Sequence, residues 1–163
     1  MRTVVIGSGS WGTALAQVLQ DNHQEVLVYG VAEAEVNDIN ENHKNSKYFG
    51  DVELNPELKA TTDIQCVKGA DIVLLAVPTI AIDPICHQIN DILDKKTIII
   101  NVSKGFHPET NERMSEVIRR CIDKDKLSSV VSLIGPSHAE EVVIRLLTTI
   151  DAISLNNEDR SEE

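Results

Sequence analysis

At 163 residues the chain is long enough for one well-cored domain and short for two. Its hydrophobic fraction of 42% with only 3% aromatic implies a core of Ile, Val, Leu and Ala, which suits a buried parallel sheet. The net charge of −11 argues against nucleic acid and anionic membrane as partners, since both require a basic face. It leaves room for an anionic ligand held by backbone amides and one lysine.

Taken in chain order, Thr3-Val4-Val5-Ile6 is a short β-branched run, and Gly7-Ser8-Gly9-Ser10-Trp11-Gly12 follows at once. Thr13 to Gln20 then reads as an amphipathic helix. Strand, glycine loop and helix form the context in which G-x-G-x-x-G binds a dinucleotide. Gly7 permits the tight turn, Gly9 admits a pyrophosphate to bare backbone, and Gly12 lets helix and strand pack closely. The helix N-terminus offers unpaired N–H groups to the phosphates.

Asn22-His23 marks a turn, and Glu25–Tyr29 reads as a second strand ending at Gly30. A polar helix is expected from Ala32 to about His43, a loop over Asn45 to Pro56, and a short third strand at Lys59–Thr62. Asp71–Val77 is a continuous apolar run closed by Pro78, as in a strand buried on both faces. Ile80–Leu93 is spaced as a helix, Thr97–Val102 as a strand, Glu112–Ile122 as a helix and Val130–Ile134 as a strand. Strands alternating with helices call for an α/β fold: a Rossmann-type, doubly wound, mainly parallel sheet with helices on both faces. Residues 1–154 are read as one dinucleotide-binding domain, and 155–163 as a polar tail, disordered or the stump of a truncation.

No apolar run approaches ~20 residues, so no membrane span is expected. Met1 leads straight into a strand without a secretory leader. Cys66, Cys86 and Cys121 are odd in number and widely spaced, which points to reduced thiols in a cytoplasmic protein, with no metal site. His23, His43, His87 and His107 share no ligand spacing. His138 adjoins Ser137 but has no acid placed to orient it as a base.

Ligands of open α/β sheets bind beyond the carboxyl ends of strands. Three such ends carry unusual residues: Ala76-Val77-Pro78, Ser103-Lys104-Gly105, and Gly135-Pro136-Ser137-His138-Ala139-Glu140-Glu141-Val142. Together with Gly7 to Ala16 they stand in the order and spacing of one family. The chain resembles the N-terminal domain of bacterial soluble NAD(P)-dependent glycerol-3-phosphate dehydrogenase. The resemblance implies hydride exchange between dihydroxyacetone phosphate and sn-glycerol 3-phosphate, for phospholipid synthesis. Carried over residue by residue, it implies cofactor contacts from Gly7, Gly9, Ser10, Trp11, Gly12, Pro78, Lys104 and Ala139. Substrate contacts are implied for Lys104, Gly135 and Ser137. Glu140 and Glu141 read as the acidic first turn of a helix.

Two departures from the family pattern stand out. Where the family usually places arginine after the glycine that ends the second strand, this chain has Val31, so the cofactor is left as NAD or NADP with a lean to NAD. Neither Tyr29 nor Gly30 supplies the ribose carboxylate expected for NAD, and Glu33, the nearest acid, reads as a solvated helix residue. The family's C-terminal helical domain, which bears its catalytic lysine, is absent. No catalytic residue is therefore assigned in this chain, which is expected to bind dinucleotide and to turn over very slowly or not at all. A homodimer is kept open. The alternatives are a non-catalytic dinucleotide-sensing module, and the Rossmann half of another hydroxyacid dehydrogenase; the latter does not predict the stretch from Gly135 to Glu141.

Overall fold

The computed structural model describes residues 1–155, so the tail expected at 155–163 lies almost wholly outside the described residues. Seven strands form one sheet in the order β3-β2-β1-β4-β5-β6-β7. They are β1 (Arg2–Ile6), β2 (Glu25–Tyr29), β3 (Lys59–Thr61), β4 (Ile72–Leu75), β5 (Thr97–Asn101), β6 (Leu127–Ile134) and β7 (Asp151–Ser154). The first six run parallel, and β7 returns antiparallel along β6. From β1 the chain winds outward through β2 and β3, then restarts on the other side of β1 at β4. The switch between β1 and β4 opens the crevice in which such sheets bind ligands.

Alternation within the strands divides the core into two layers. Val4 and Ile6 of β1 face the same side as Val73, Leu75 and Ile99. There they meet Ile82, Cys86 and Ile89 of α4 (Thr79–Ile92) and Val117 and Ile118 of α5 (Met114–Cys121). Val5 faces the other side with Val28 and Leu74, under Ala14 and Leu15 of α1 (Ser10–Asp21) and Val142 and Val143 of α6 (Ala139–Val143). The central strands are buried on both faces because helices cover both, which is why they read as unbroken apolar runs.

Several elements differ from the sequence expectation. The helix expected over 32–43 is a five-residue α2 (Glu33–Asn37) running into a π-turn (Asp38–Asn42) that stops at His43, φ 54°. Within the expected loop, α3 (Ser46–Phe49) forms a single turn that inserts Phe49 into the core. The helix expected from Glu112 begins at Met114, where the Glu116 carboxylate reaches back to accept the backbone N–H of the N-cap residue Arg113 at 3.2 Å. Ahead of it, buried His107 accepts the backbone N–H groups of Glu109 and Thr110 on Nδ1, which turns 107–112 into a tight loop. Strand β7 was not expected, since its pairing with β6 is non-local. No helix among the described residues is long and apolar enough to cross a membrane.

Candidate functional site

The glycine loop is held by contacts that only glycine permits. Gly7 sits at φ 116°, and a Cβ there would stand 2.4 Å from the Ala76 carbonyl oxygen on the neighbouring β4 exit. A Cβ on Gly12 would lie 1.9 Å from the Gly7 carbonyl oxygen, so α1 starts hard against the loop. Gly9, the N-cap of α1, has no atom within 4 Å of a Cβ position: its open side faces space, not protein. The first turn of this 12-residue helix leaves N–H groups without intrahelical partners, aimed where a diphosphate would lie. The loop fits a dinucleotide on geometry alone.

A residue missed in the sequence anchors this loop. Asn45, 1% exposed, donates from Nδ2 to the Ser8 carbonyl oxygen (2.7 Å) and to Thr13 Oγ1 (2.8 Å). Thr13 Oγ1 donates in turn to the Ser8 carbonyl oxygen, at 3.2 Å. The expected loop over 45–56 is thus a clamp on the glycine turn.

Around the loop lies an open cleft of about 750 Å³, within the ~300–1,000 Å³ typical of ligand clefts. Gly7, Gly9, Ser10 and Trp11 form its floor. One end is built from the exit of β2 (Val31, Ala32), Glu35 of α2, and Lys47 and Tyr48 of α3. The other is built from the exits of β4 and β5: Ala76, Val77, Pro78, Ser103 and Lys104. Ser103 Oγ donates to the Val77 carbonyl oxygen at 2.5 Å, joining the two exits. Asn101 bonds the backbone of Ser103 in both directions, which sets the path of the chain into Lys104. Lys104 Nζ stands 5.7 Å from the centroid of the Trp11 ring, a cation–π distance.

Beside this end a small second cavity is lined by Trp11, Lys104, Gly135 and Ser137. The three residues expected to meet substrate therefore converge next to the indole, although they come from the ends of two different strands, β5 and β6. Ala139 does not join them. As the first residue of α6 it is 4% exposed, in the cluster that packs α6 on α1, and it lines neither cavity. Gly12 likewise lines neither cavity and serves packing. Val31 is 83% exposed at the β2 end and presents no charge, while Glu33 is exposed.

Another acid occupies the β2 end. Glu35, 8% exposed, accepts a short hydrogen bond from Ser8 Oγ and an ion pair from Lys47 Nζ at 2.7 Å. It follows Gly12 by 23 positions, near the spacing at which dinucleotide-binding sheets place a ribose-binding acid. That spacing was the available signal, hidden by the helix-like context of Ala32 to Asn37.

Elsewhere, Asp83 and His87 of α4 and Cys121 of α5 bring one ligand atom each within 4.8 Å of one another. Arg120 already bonds Asp83 Oδ2 at 2.8 Å and Glu112 at 3.1 Å, so this cluster works as an ion-pair clasp between α4 and α5. A cation there would have to compete with the guanidinium.

Residues 2–160 match the family model described as the N-terminus of NAD-dependent glycerol-3-phosphate dehydrogenase. The chain belongs to that family. It is 48% identical over 152 residues to a glycerol-3-phosphate dehydrogenase (NAD(P)+) of Listeria monocytogenes, covering 93% of this chain and 45% of the relative. A relative of the same name from Macrococcus caseolyticus is 46% identical over 155 residues, covering 94% and 47%. Among solved structures, glycerol-3-phosphate dehydrogenase from Coxiella burnetii superposes with a TM-score of 0.86 at 27% identity, covering 96% of this chain and 47% of that one. The chain thus spans about half the length of the curated relatives it matches, and the Rossmann-type reading of the sheet agrees with these neighbours.

Proposed function

We propose that this chain is the dinucleotide-binding half of a glycerol-3-phosphate dehydrogenase, serving hydride exchange between dihydroxyacetone phosphate and sn-glycerol 3-phosphate. The observation that carries it is the convergence of Gly9, Trp11 and Lys104 on one cleft, with Gly135 and Ser137 adjoining. Gly7, Gly9, Ser10 and the first turn of α1 would hold the pyrophosphate. The apolar wall of Ala76, Val77 and Pro78 would seat the nicotinamide, which supplies or accepts the hydride. Lys104, its ammonium over the indole, would attract the substrate phosphate and fix the ketone end beside the cofactor. Ser137 would accept or donate a hydrogen bond to a substrate oxygen. Reduction also needs a proton donor on the developing alkoxide. Lys104 and Lys47 are the cations lining the cleft among the described residues, and neither is assigned that task.

Cofactor choice leans to NAD, because Val31 offers nothing to a 2′-phosphate. We place the chain in the cytoplasm, in keeping with its three unpaired cysteines. A second reading, a dinucleotide-binding module without turnover, shares all of this geometry except the role of Lys104.

Titration with NADH and NADPH, followed by the fluorescence of Trp11, tests the binding reading. Quenching or energy transfer is expected with at least one of them, and no response to either sinks it. A Lys104→Met variant separates the two readings when glycerol 3-phosphate is added to the NADH complex. A substrate-induced shift that the variant abolishes supports the dehydrogenase half, and the lack of any shift in the unmodified chain favours the module.

A further inference from the structure

We propose that Glu35, with Lys47 as its counter-charge, makes the cleft select a dinucleotide with a free ribose 2′-hydroxyl over one with a 2′-phosphate. The inference rests on the dinucleotide reading above and deepens it at the β2 end, where the adenosine ribose lies in sheets of this winding.

Glu35 is built into the site. Its carboxylate takes the hydroxyl of Ser8, which stands between the first two glycines of the phosphate loop. The space for Ser8 exists because residue 30 is glycine: a Cβ there would come 2.4 Å from Ser8 Oγ. On its other oxygen Glu35 holds Lys47, whose ammonium also lies 5.1 Å from the Tyr48 ring. Both Glu35 and Lys47 line the cleft, beside exposed Val31.

A carboxylate has about four acceptor positions, and Ser8 and Lys47 occupy two of them. A ribose 2′-hydroxyl can donate to a remaining one without disturbing the pair. A 2′-phosphate meets a different field. The cation within its reach is already matched by Glu35, and drawing Lys47 away would strand a buried carboxylate without its partner. The phosphate would also bring about two negative charges up to that carboxylate, with no guanidinium at position 31 to offset them. Lys47 is therefore a cation held in reserve, and Glu35 decides whether a ligand can use it.

The test is the ratio of dissociation constants for NADPH and NADH at fixed ionic strength, read by Trp11 fluorescence and by calorimetry. In the unmodified chain NADH is expected to bind at least about tenfold more tightly. Glu35→Gln keeps the hydrogen bond to Ser8 and frees Lys47, so NADPH should tighten and the ratio should fall to about one or below. Adding Lys47→Met to that variant should remove the gain. Lys47→Met alone, at a side chain 63% exposed, should leave NADH within about twofold and weaken NADPH by a further fivefold or so. It decides the matter should Glu35→Gln fail to fold. Equal or tighter binding of NADPH by the unmodified chain, or a ratio untouched by these changes, overturns the proposal. Failure to bind either nucleotide overturns the dinucleotide reading itself.

Discussion

Replacing Gly9 by alanine should separate binding from folding, and the loop geometry sets the size of both effects. Gly9 has φ −71° and ψ −175°, extended backbone open to any residue, and a Cβ there meets no atom within 4 Å. Such a Gly→Ala change gains ~0.4–1 kcal/mol through the lower entropy of the unfolded chain, and alanine's poorer fit at the N-cap of α1 offsets a similar amount. For a domain of this size Tm should therefore stay within ~2–4 °C of the unmodified chain. The new methyl occupies the side from which a diphosphate would approach the α1 N-terminus. Displacing the diphosphate forfeits about two charge-assisted hydrogen bonds, each worth ~1.5–3 kcal/mol, so the Kd for NADH should rise at least ~100-fold. Gly12→Ala is the counterpart. Its Cβ would stand 1.9 Å from a carbonyl oxygen and 3.3 Å from the Ala76 Cβ, a collision that costs ~3 kcal/mol or more. Its Tm should therefore fall by ~6 °C or more. Differential scanning calorimetry and fluorescence titration of both variants form the assay. An unchanged Kd in Gly9→Ala, or a thermal loss there matching that of Gly12→Ala, would refute the division of labour between the two glycines.

Three further outcomes are expected. Asn45→Ala should lower stability by ~2–3 kcal/mol in urea titration, because it leaves the Ser8 carbonyl and Thr13 hydroxyl without their shared donor; a change below ~0.5 kcal/mol would remove Asn45 as the clamp. Burial pushes the thiol of Cys86 up to about 12 and those of Cys66 and Cys121 up to about 11. All three should react slowly with a disulfide reagent at pH 7 and quickly in denaturant, and rapid labelling of the folded chain would contradict their protonated state. The hydrogen bond from Arg120 holds the Asp83 carboxyl below its ordinary value of 3.8. A depressed folded-state pKa stabilises above the unfolded value and is lost as pH falls through the folded one. Tm should therefore decline below about pH 4, and less steeply in Asp83→Asn; identical slopes would exclude the clasp as a contributor.

The parts of the site that were legible in the sequence are those whose cause is local. The glycine loop is six consecutive residues whose spacing states both its turn and its packing, and it directly follows a strand that is apolar because helices cover both faces. Pro78, Lys104 and Gly135 were legible for the same reason, since each punctuates the exit of a strand visible from its own composition. What stayed hidden depends on distant partners. Glu35 looks like one more polar residue of a short helix until Ser8, 27 positions earlier, and Lys47, 12 later, are seen to close around its carboxylate. Asn45 reads as loop until the winding of β2 and α2 brings it back onto Ser8, 37 positions away. Strand β7 pairs antiparallel with an edge that only the assembled sheet provides, and Ala139 follows a loop toward the cleft yet is spent on packing under α1. Local spacing and hydrophobic period were enough to specify a dinucleotide loop at a switch point. Which charges stand around it was decided by chain crossings that bring distant side chains within hydrogen-bond reach, a property no window of sequence contains.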